Sequence, residues 1–125
     1  MKKYIVATLL LSTVSIVSAS EAGQSLLDEK CTACHMTSSS SAKLTNGKMG
    51  GPPMWGIMKK VKARFKEQSD GEAFITTYAL APSQDKMLFP QATIDYFGAM
   101  PSMQGKVTQE ELGEIAKYLY KLYQK

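Results

Sequence analysis

The chain has 125 residues, 44% of them hydrophobic, and a formal net charge of +4. This length accommodates one domain, and so small an excess of positive charge in an exported chain argues against a nucleic acid partner. Cysteine occurs twice and histidine once. A structural zinc site needs about four nitrogen or sulfur ligands, so these three side chains cannot complete one.

Residues 1–19 are predicted to be a secretory signal peptide. A positive start is followed by an almost unbroken apolar run over 4–17 and then by small residues up to Ala19. This run is shorter than the roughly 20 residues that a helix needs to cross a bilayer, so cleavage after Ala19 is favoured over an uncleaved anchor helix. Residues 20–125 would then form one periplasmic domain with no stable insertion in the membrane.

Helical patterns dominate the rest of the chain, and no pair of alternating strands occurs. The predicted helices run from Ser20 to the cysteines, over 54–66, from an Asp70 cap to Pro82, over 91–97 after Pro90, and from a Thr108–Glu111 capping box to the C-terminus. The Ser- and Gly-rich segment between the first two of these helices, 36–51, is predicted to be a loop, and two prolines follow it. The fold class is therefore all-α, with about four to five short helices. Such a chain buries little apolar surface unless its loops wrap a large ligand.

All the cysteine and histidine of the chain lies in one motif, Cys31-Thr-Ala-Cys34-His35. A disulfide across two intervening residues is strained and constrains the unfolded chain little. A thioredoxin-type dithiol belongs on a βαβ scaffold, which is not predicted here. Covalent attachment of one haem c remains, in which Cys31 and Cys34 form the thioethers and His35 binds the iron from one face.

A second axial ligand must come from elsewhere, since no other histidine exists. Lysine or water remains possible, but a methionine thioether suits iron that changes its charge without changing its ligands. Met36 is too close to His35 to reach the opposite face, and Met58 lies on the apolar stripe of a predicted helix. Met100, stiffened by the following proline, is favoured over Met103 as the metal ligand.

Three stretches taken together resemble a class I mono-haem cytochrome c of bacterial type: CTACH at 31–35, GGPPMWGI at 50–57, and GAMP at 98–101 before a terminal helix. The resemblance implies the cytochrome c fold, helices wrapped around one haem. It also implies that the Pro52 carbonyl accepts a hydrogen bond from His35 and that Met54 occupies the leucine position of the haem-binding segment. Trp55 would pack on the haem edge or bond a propionate, and the alternative is a plain core tryptophan. An enlarged loop at 37–41 departs from the family pattern.

The same resemblance implies how the terminal helices meet. Gly23 and Leu27 match positions where the first helix crosses the last, and Tyr118 or Leu119 would face them. Close approach of two helix backbones needs a small residue at the crossing. Gly23 is therefore expected at the point of contact.

The predicted function is one-electron transfer without chemistry on a substrate, so the protein is expected not to be an enzyme. An electron-relay subunit of a larger periplasmic redox complex is the first alternative. A haem peroxidase or gas-binding protein is less favoured, because no second histidine is present for acid–base chemistry. Redox protein partners are expected to dock through a basic stretch that contains no acid, at Lys59, Lys60, Lys62 and Arg64.

Overall fold

The computed structural model describes residues 18–38 and 49–124, and within them it contains helices and no strand. The helices are α1 (Ala19–Lys30), α2 (Met54–Arg64), α3 (Gln68–Leu80), α4 (Gln91–Phe97) and α5 (Gln109–Leu122), with one turn of 3-10 helix at Gln84–Lys86. The predicted all-α class is confirmed. The predicted signal peptide lies almost wholly outside the described residues, and in the part of the chain that is described no helix has the length and apolarity to cross a bilayer.

Helix ends follow the local sequence closely at α4 and α5. α4 occupies the predicted residues, and Pro90 is its N-cap. At α5, Thr108 Oγ1 accepts a hydrogen bond from Glu111 N at 3.1 Å, and Thr108 N donates to Glu111 Oε2 at 2.8 Å. This capping box is the predicted one, and each side chain satisfies an amide that the first turn leaves without a partner.

Two helix bounds differ from prediction. α3 begins at Gln68 after an extended Glu67, so Asp70 lies in its first turn and is not its cap. An acidic side chain is favourable there as well, because the exposed amides make the N-terminal end of a helix positive. α2 ends at Arg64, and Phe65 has already turned to an extended conformation. That turn lets Phe65 pack beside Phe74 of α3, with ring centroids 5.1 Å apart.

The first and last helices form the most extensive contact of the fold, and α3 packs on α5 next. A Cβ built on Gly23 would lie 2.6 Å from Glu114 O and 2.7 Å from Tyr118 Cβ. The predicted crossing at Gly23, with Tyr118 facing it, is confirmed. α3 uses the same device at Gly71, which is buried against the Tyr120 side chain of α5 and Val61 of α2.

Buried side chains from four of the five helices form one core. The most completely buried are Leu27, Met58, Val61, Ile115 and Leu119. A backbone hydrogen bond also joins the start of α2 to the residue after the Cys31–His35 turn: Met54 N donates to Met36 O at 2.8 Å. This bond closes the loop predicted over 36–51, whose middle lies outside the described residues. Beside this core, side chains of α2, α3 and α5 line one internal cavity.

Candidate haem site

The Cys31–His35 motif forms one further turn at the end of α1. Cys31 is the C-cap residue of the helix, and its carbonyl accepts hydrogen bonds from Cys34 N at 3.2 Å and His35 N at 2.9 Å. Thr32 Oγ1 donates to Asp28 O at 2.6 Å, which satisfies a carbonyl at the helix end. The turn therefore fixes both thiols and the imidazole on one short piece of backbone.

The two thiols differ in their surroundings. Both are free, but Cys31 is partly buried and Cys34 is exposed. Burial, and after it the neighbouring Cys34, raises the pKa of the Cys31 thiol to about 11. Because the thiolate is the reactive form, burial disfavours reaction of Cys31 in this folded state.

Both cysteines and His35 line a cavity with a volume of about 330 Å³. This is within the usual range for cofactor sites, roughly 300 to 1,000 Å³. Its walls are largely apolar and aromatic, and Lys30 is the one charged side chain among the described lining residues. Lys30 Nζ is paired with Glu29 Oε1 at 3.0 Å. The cavity therefore suits a large apolar group and offers a cation at one place on its wall.

His35 is held for ligation by a hydrogen bond. Its Nδ1 lies 2.7 Å from Pro52 O. A carbonyl oxygen only accepts, so Nδ1 carries the proton and the lone pair is on Nε2. Burial lowers the pKa of His35, although the Pro52 hydrogen bond opposes that shift. The imidazole is thus neutral at pH 7, the form that binds a metal. The bond expected at Pro52 is present, and the ligand role of His35 stays a prediction.

Two glycines make room for this motif. A Cβ on Gly51 would lie 2.6 Å from Cε1 and 2.9 Å from Nδ1 of His35, and one on Gly50 would lie 3.0 Å from Cys34 Sγ. Any side chain at Gly51 would therefore displace the imidazole. The Gly-Gly-Pro sequence is thus explained by close packing of backbone on the ring, with the next residue supplying the carbonyl.

Four methionines line the cavity: Met54, Met87, Met100 and Met103. Met100 and Met103 are partly buried against the core, and Met54 is almost completely buried. Met58 is buried in the core outside the cavity lining, as expected for a packing residue. The structure therefore brings both candidate thioethers to the cavity that holds His35. Ligation by Met100 stays a prediction.

Trp55 lies on the outer side of α2. It is 45% exposed and is not among the residues that line the cavity. Successive residues of an α-helix point about 100° apart. Because Met54 at the start of α2 faces the interior, Trp55 faces solvent and is not a core residue. Its contact with the haem edge or a propionate stays a prediction.

Sequence reasoning missed an aromatic part of the wall. Phe74 and Tyr78 of α3 lie one helical turn apart, with ring centroids separated by 5.4 Å, and both line the cavity. Phe89 lines it from the segment before α4, and Lys60 Nζ lies 5.9 Å from the centroid of the Phe89 ring. The four-residue spacing of Phe74 and Tyr78 was a usable signal. The segment containing Phe89 has no periodicity from which its position could be predicted.

The four basic residues proposed for docking occupy different environments. Lys59, Lys60 and Arg64 are exposed on α2, whereas Lys62 is partly buried. Lys62 Nζ donates to the Tyr123 carbonyl and lies 5.4 Å from the centroid of the Tyr120 ring. Lys62 thus joins α2 to the C-terminal segment, and its charge is already partnered.

The donor set fits haem c: two thiols and a neutral imidazole on one turn, thioethers on the cavity wall, and a largely apolar lining. Together with the all-helical fold, this site defines a mono-haem c-type cytochrome with covalently bound haem c. The family described as cytochrome c oxidase, cbb3-type, subunit III matches residues 18–119, and the chain belongs to it.

A curated relative and the solved structures add little to this assignment. A protein of Aquifex aeolicus (strain VF5), described only as uncharacterized, is 23% identical over 111 residues, which cover 81% of this chain and 73% of that protein. No solved structure matches the chain significantly.

Proposed function

We propose that this chain is a periplasmic one-electron carrier whose haem iron is ligated by His35 and Met100, with Cys31 and Cys34 as attachment points. The observation that carries the proposal is the shared cavity, into which the α1 turn and the segment after α4 bring an oriented imidazole and a thioether. When bound, haem c supplies an iron that exchanges one electron at a potential that its ligands and surroundings set.

The residues around the cavity support a carrier more than an enzyme. His35 is the only histidine of the chain, and its Nδ1 is occupied by Pro52. Among the described lining residues, the remaining groups that exchange protons are thiols, Tyr78 and the paired Lys30. No free imidazole is therefore available for the acid–base step of a peroxidase. The periplasmic location rests on the N-terminal sequence pattern.

The principal alternative is a relay subunit held in a larger redox complex, and the family description, which names an oxidase subunit, favours it. A native mass measurement of periplasmic and membrane extracts separates the two. A free protein of monomer mass supports the carrier, and one discrete large assembly supports the relay subunit.

Met100→Ala tests the ligation. We expect the ferric protein to lose the long-wavelength absorption band of sulfur-ligated iron and the reduction potential to fall, because thioether ligation favours the reduced state. Visible spectra and redox titration of the purified protein measure both effects. Met103→Ala is the matched control, and it should keep the band. If Met103→Ala loses the band and Met100→Ala keeps it, the ligand assignment is reversed.

Docking through the exposed basic residues is tested by charge removal. We expect Lys59→Gln/Lys60→Gln to slow oxidation by ferricyanide, an anionic one-electron oxidant, severalfold at low ionic strength and little at high ionic strength, because salt screens exposed charges. Stopped-flow absorbance measures the rate. Lys117→Gln on α5, whose Nζ pairs with Glu114 Oε1 at 3.1 Å, is the control. Equal rates for the double variant and wild type at low salt would contradict a role for these lysines.

A further inference from the structure

The segment that carries Met100 is held by hydrogen bonds at its two ends, Gly98 and Ser102. On one side, Gly98 N donates to Ile94 O at 2.7 Å and closes α4 with a positive φ of 82°. On the other side, Ser102 begins the contact with α3. Among the described residues, Ala99 and Met100 have no backbone–backbone hydrogen bond. The position of Met100 is therefore set by what holds the two ends of this short span.

Two hydrogen bonds fasten the second end to the last turn of α3, and a third braces Ser102 within its own segment. Ser102 Oγ donates to Leu80 O at 2.6 Å and accepts from Gln104 N at 3.1 Å. Met103 N donates to Ala79 O at 2.9 Å. The Ala79 and Leu80 carbonyls belong to the last four of the helix, which have no partner within it. The Met100 segment thus supplies donors that α3 itself lacks.

Ser102 contributes little else to the structure. Its side chain is exposed and does not belong to the core. Among residues 18–38 and 49–124, its hydroxyl bonds Leu80 O at the end of α3 and Gln104 N in the segment after Met100. Loss of this hydroxyl should loosen the span next to Met100 while leaving the helix packing unchanged.

We propose that Ser102 is a positioning residue that retains Met100 in the cavity, an inference that rests on the proposed ligation by Met100. With the hydroxyl present, both ends of the span are fixed, and the thioether leaves the cavity only when a hydrogen bond to α3 opens. Without the hydroxyl, the Met103 amide alone holds that end, and the thioether departs more often.

The test is competition with an added ligand. Imidazole binds the ferric protein only where the thioether has been displaced, so its apparent affinity reports how easily Met100 leaves. We expect Ser102→Ala to bind imidazole about five-fold more tightly than wild type, the factor for losing one hydrogen bond of ordinary net strength. Loss of the long-wavelength absorption band during the titration measures the affinity.

Two variants make the outcome specific. Ser102→Thr keeps the hydroxyl and should restore the wild-type affinity. Thr77→Ala removes a hydroxyl that donates to Ala73 O at 2.8 Å within α3 itself, and it should leave the affinity unchanged. Wild-type affinity in Ser102→Ala, or an equal increase in Thr77→Ala, would overturn the proposal.

Met100→Ala in the same titration separates this inference from the proposed function. If Met100→Ala keeps the absorption band and the wild-type affinity, the ligation itself fails, and the role of Ser102 fails with it. If Met100→Ala loses the band while Ser102→Ala behaves as wild type, the ligation stands and only the role of Ser102 is overturned.

Discussion

Gly51→Ala is expected to lower the free energy of unfolding of the holoprotein by about 2–4 kcal/mol. The added methyl group would lie 2.6 Å from His35 Cε1, closer than unbonded carbon atoms approach one another. Overpacking of this kind costs about 1–3 kcal/mol, and displacing the ring breaks the 2.7 Å bond to Pro52 O, which costs about 1 kcal/mol more. Chemical denaturation followed at the haem absorbance measures the change.

The ring proton gives a second measurement on the same variant. In the reduced protein, the Nδ1 proton of His35 should exchange with solvent faster in Gly51→Ala than in wild type, because its acceptor has moved. Gly56→Ala is the control, since a Cβ there meets Pro53 Cγ at an ordinary 3.7 Å. It lies inside α2 and should stabilise the protein by about 0.5–1 kcal/mol. If the free energy of unfolding and the exchange rate of the Nδ1 proton are both unchanged in Gly51→Ala, the backbone has moved and the ring has not, which contradicts the prediction.

The second large effect is expected at the crossing of α1 and α5. Gly23→Ala should lower the free energy of unfolding by about 1–3 kcal/mol. The new methyl group would meet Glu114 O at 2.6 Å and Tyr118 Cβ at 2.7 Å. Neither atom is the end of a flexible side chain, so the helices must separate. Thermal and urea unfolding of the same preparation measure the loss.

Gly113→Ala is the matched control for this crossing and has the opposite expected sign. Gly113 lies inside α5, and a Cβ there would meet no atom within 4 Å. The substitution should therefore raise the free energy of unfolding by about 0.5–1 kcal/mol through helix propensity alone. If both variants shift stability in the same direction, steric contact at the crossing does not determine the result.

The features predicted correctly from the sequence are local or carried by a motif. The Thr108–Glu111 box contains its own hydrogen-bond partners within four residues, so its outcome does not depend on the rest of the fold. The end of α1 next to Cys31 follows from the short Cys31–His35 motif. The hydrogen bond from His35 to Pro52 was implied by the resemblance to bacterial cytochromes c and is present. The start of α3 was harder to predict because its N-cap is Glu67, which is not one of the residue types preferred at that position and makes no side-chain capping bond.

What could not be predicted depends on contacts between residues far apart in the chain. Lys62 has the sequence context of a solvent-exposed lysine, yet its ammonium donates to the Tyr123 carbonyl. Met87 and Phe89 reach the cavity from a segment without periodicity. The outward direction of Trp55 follows from the inward direction of Met54, which is known only once the start of α2 is fixed. In each case the surroundings of the side chain depend on a partner far away in the sequence or on which face of the helix the residue occupies.

The pairing of α1 with α5 also bears on when the haem can be attached covalently. α1 leads directly into the turn with the cysteines, and its main partner, α5, is the last of the described helices in chain order. Before the chain folds, Cys31 lacks the burial that raises the pKa of its thiol to about 11 in the folded state. Closure of the fold therefore limits bond formation at Cys31 first, whereas Cys34 stays exposed in the folded protein as well.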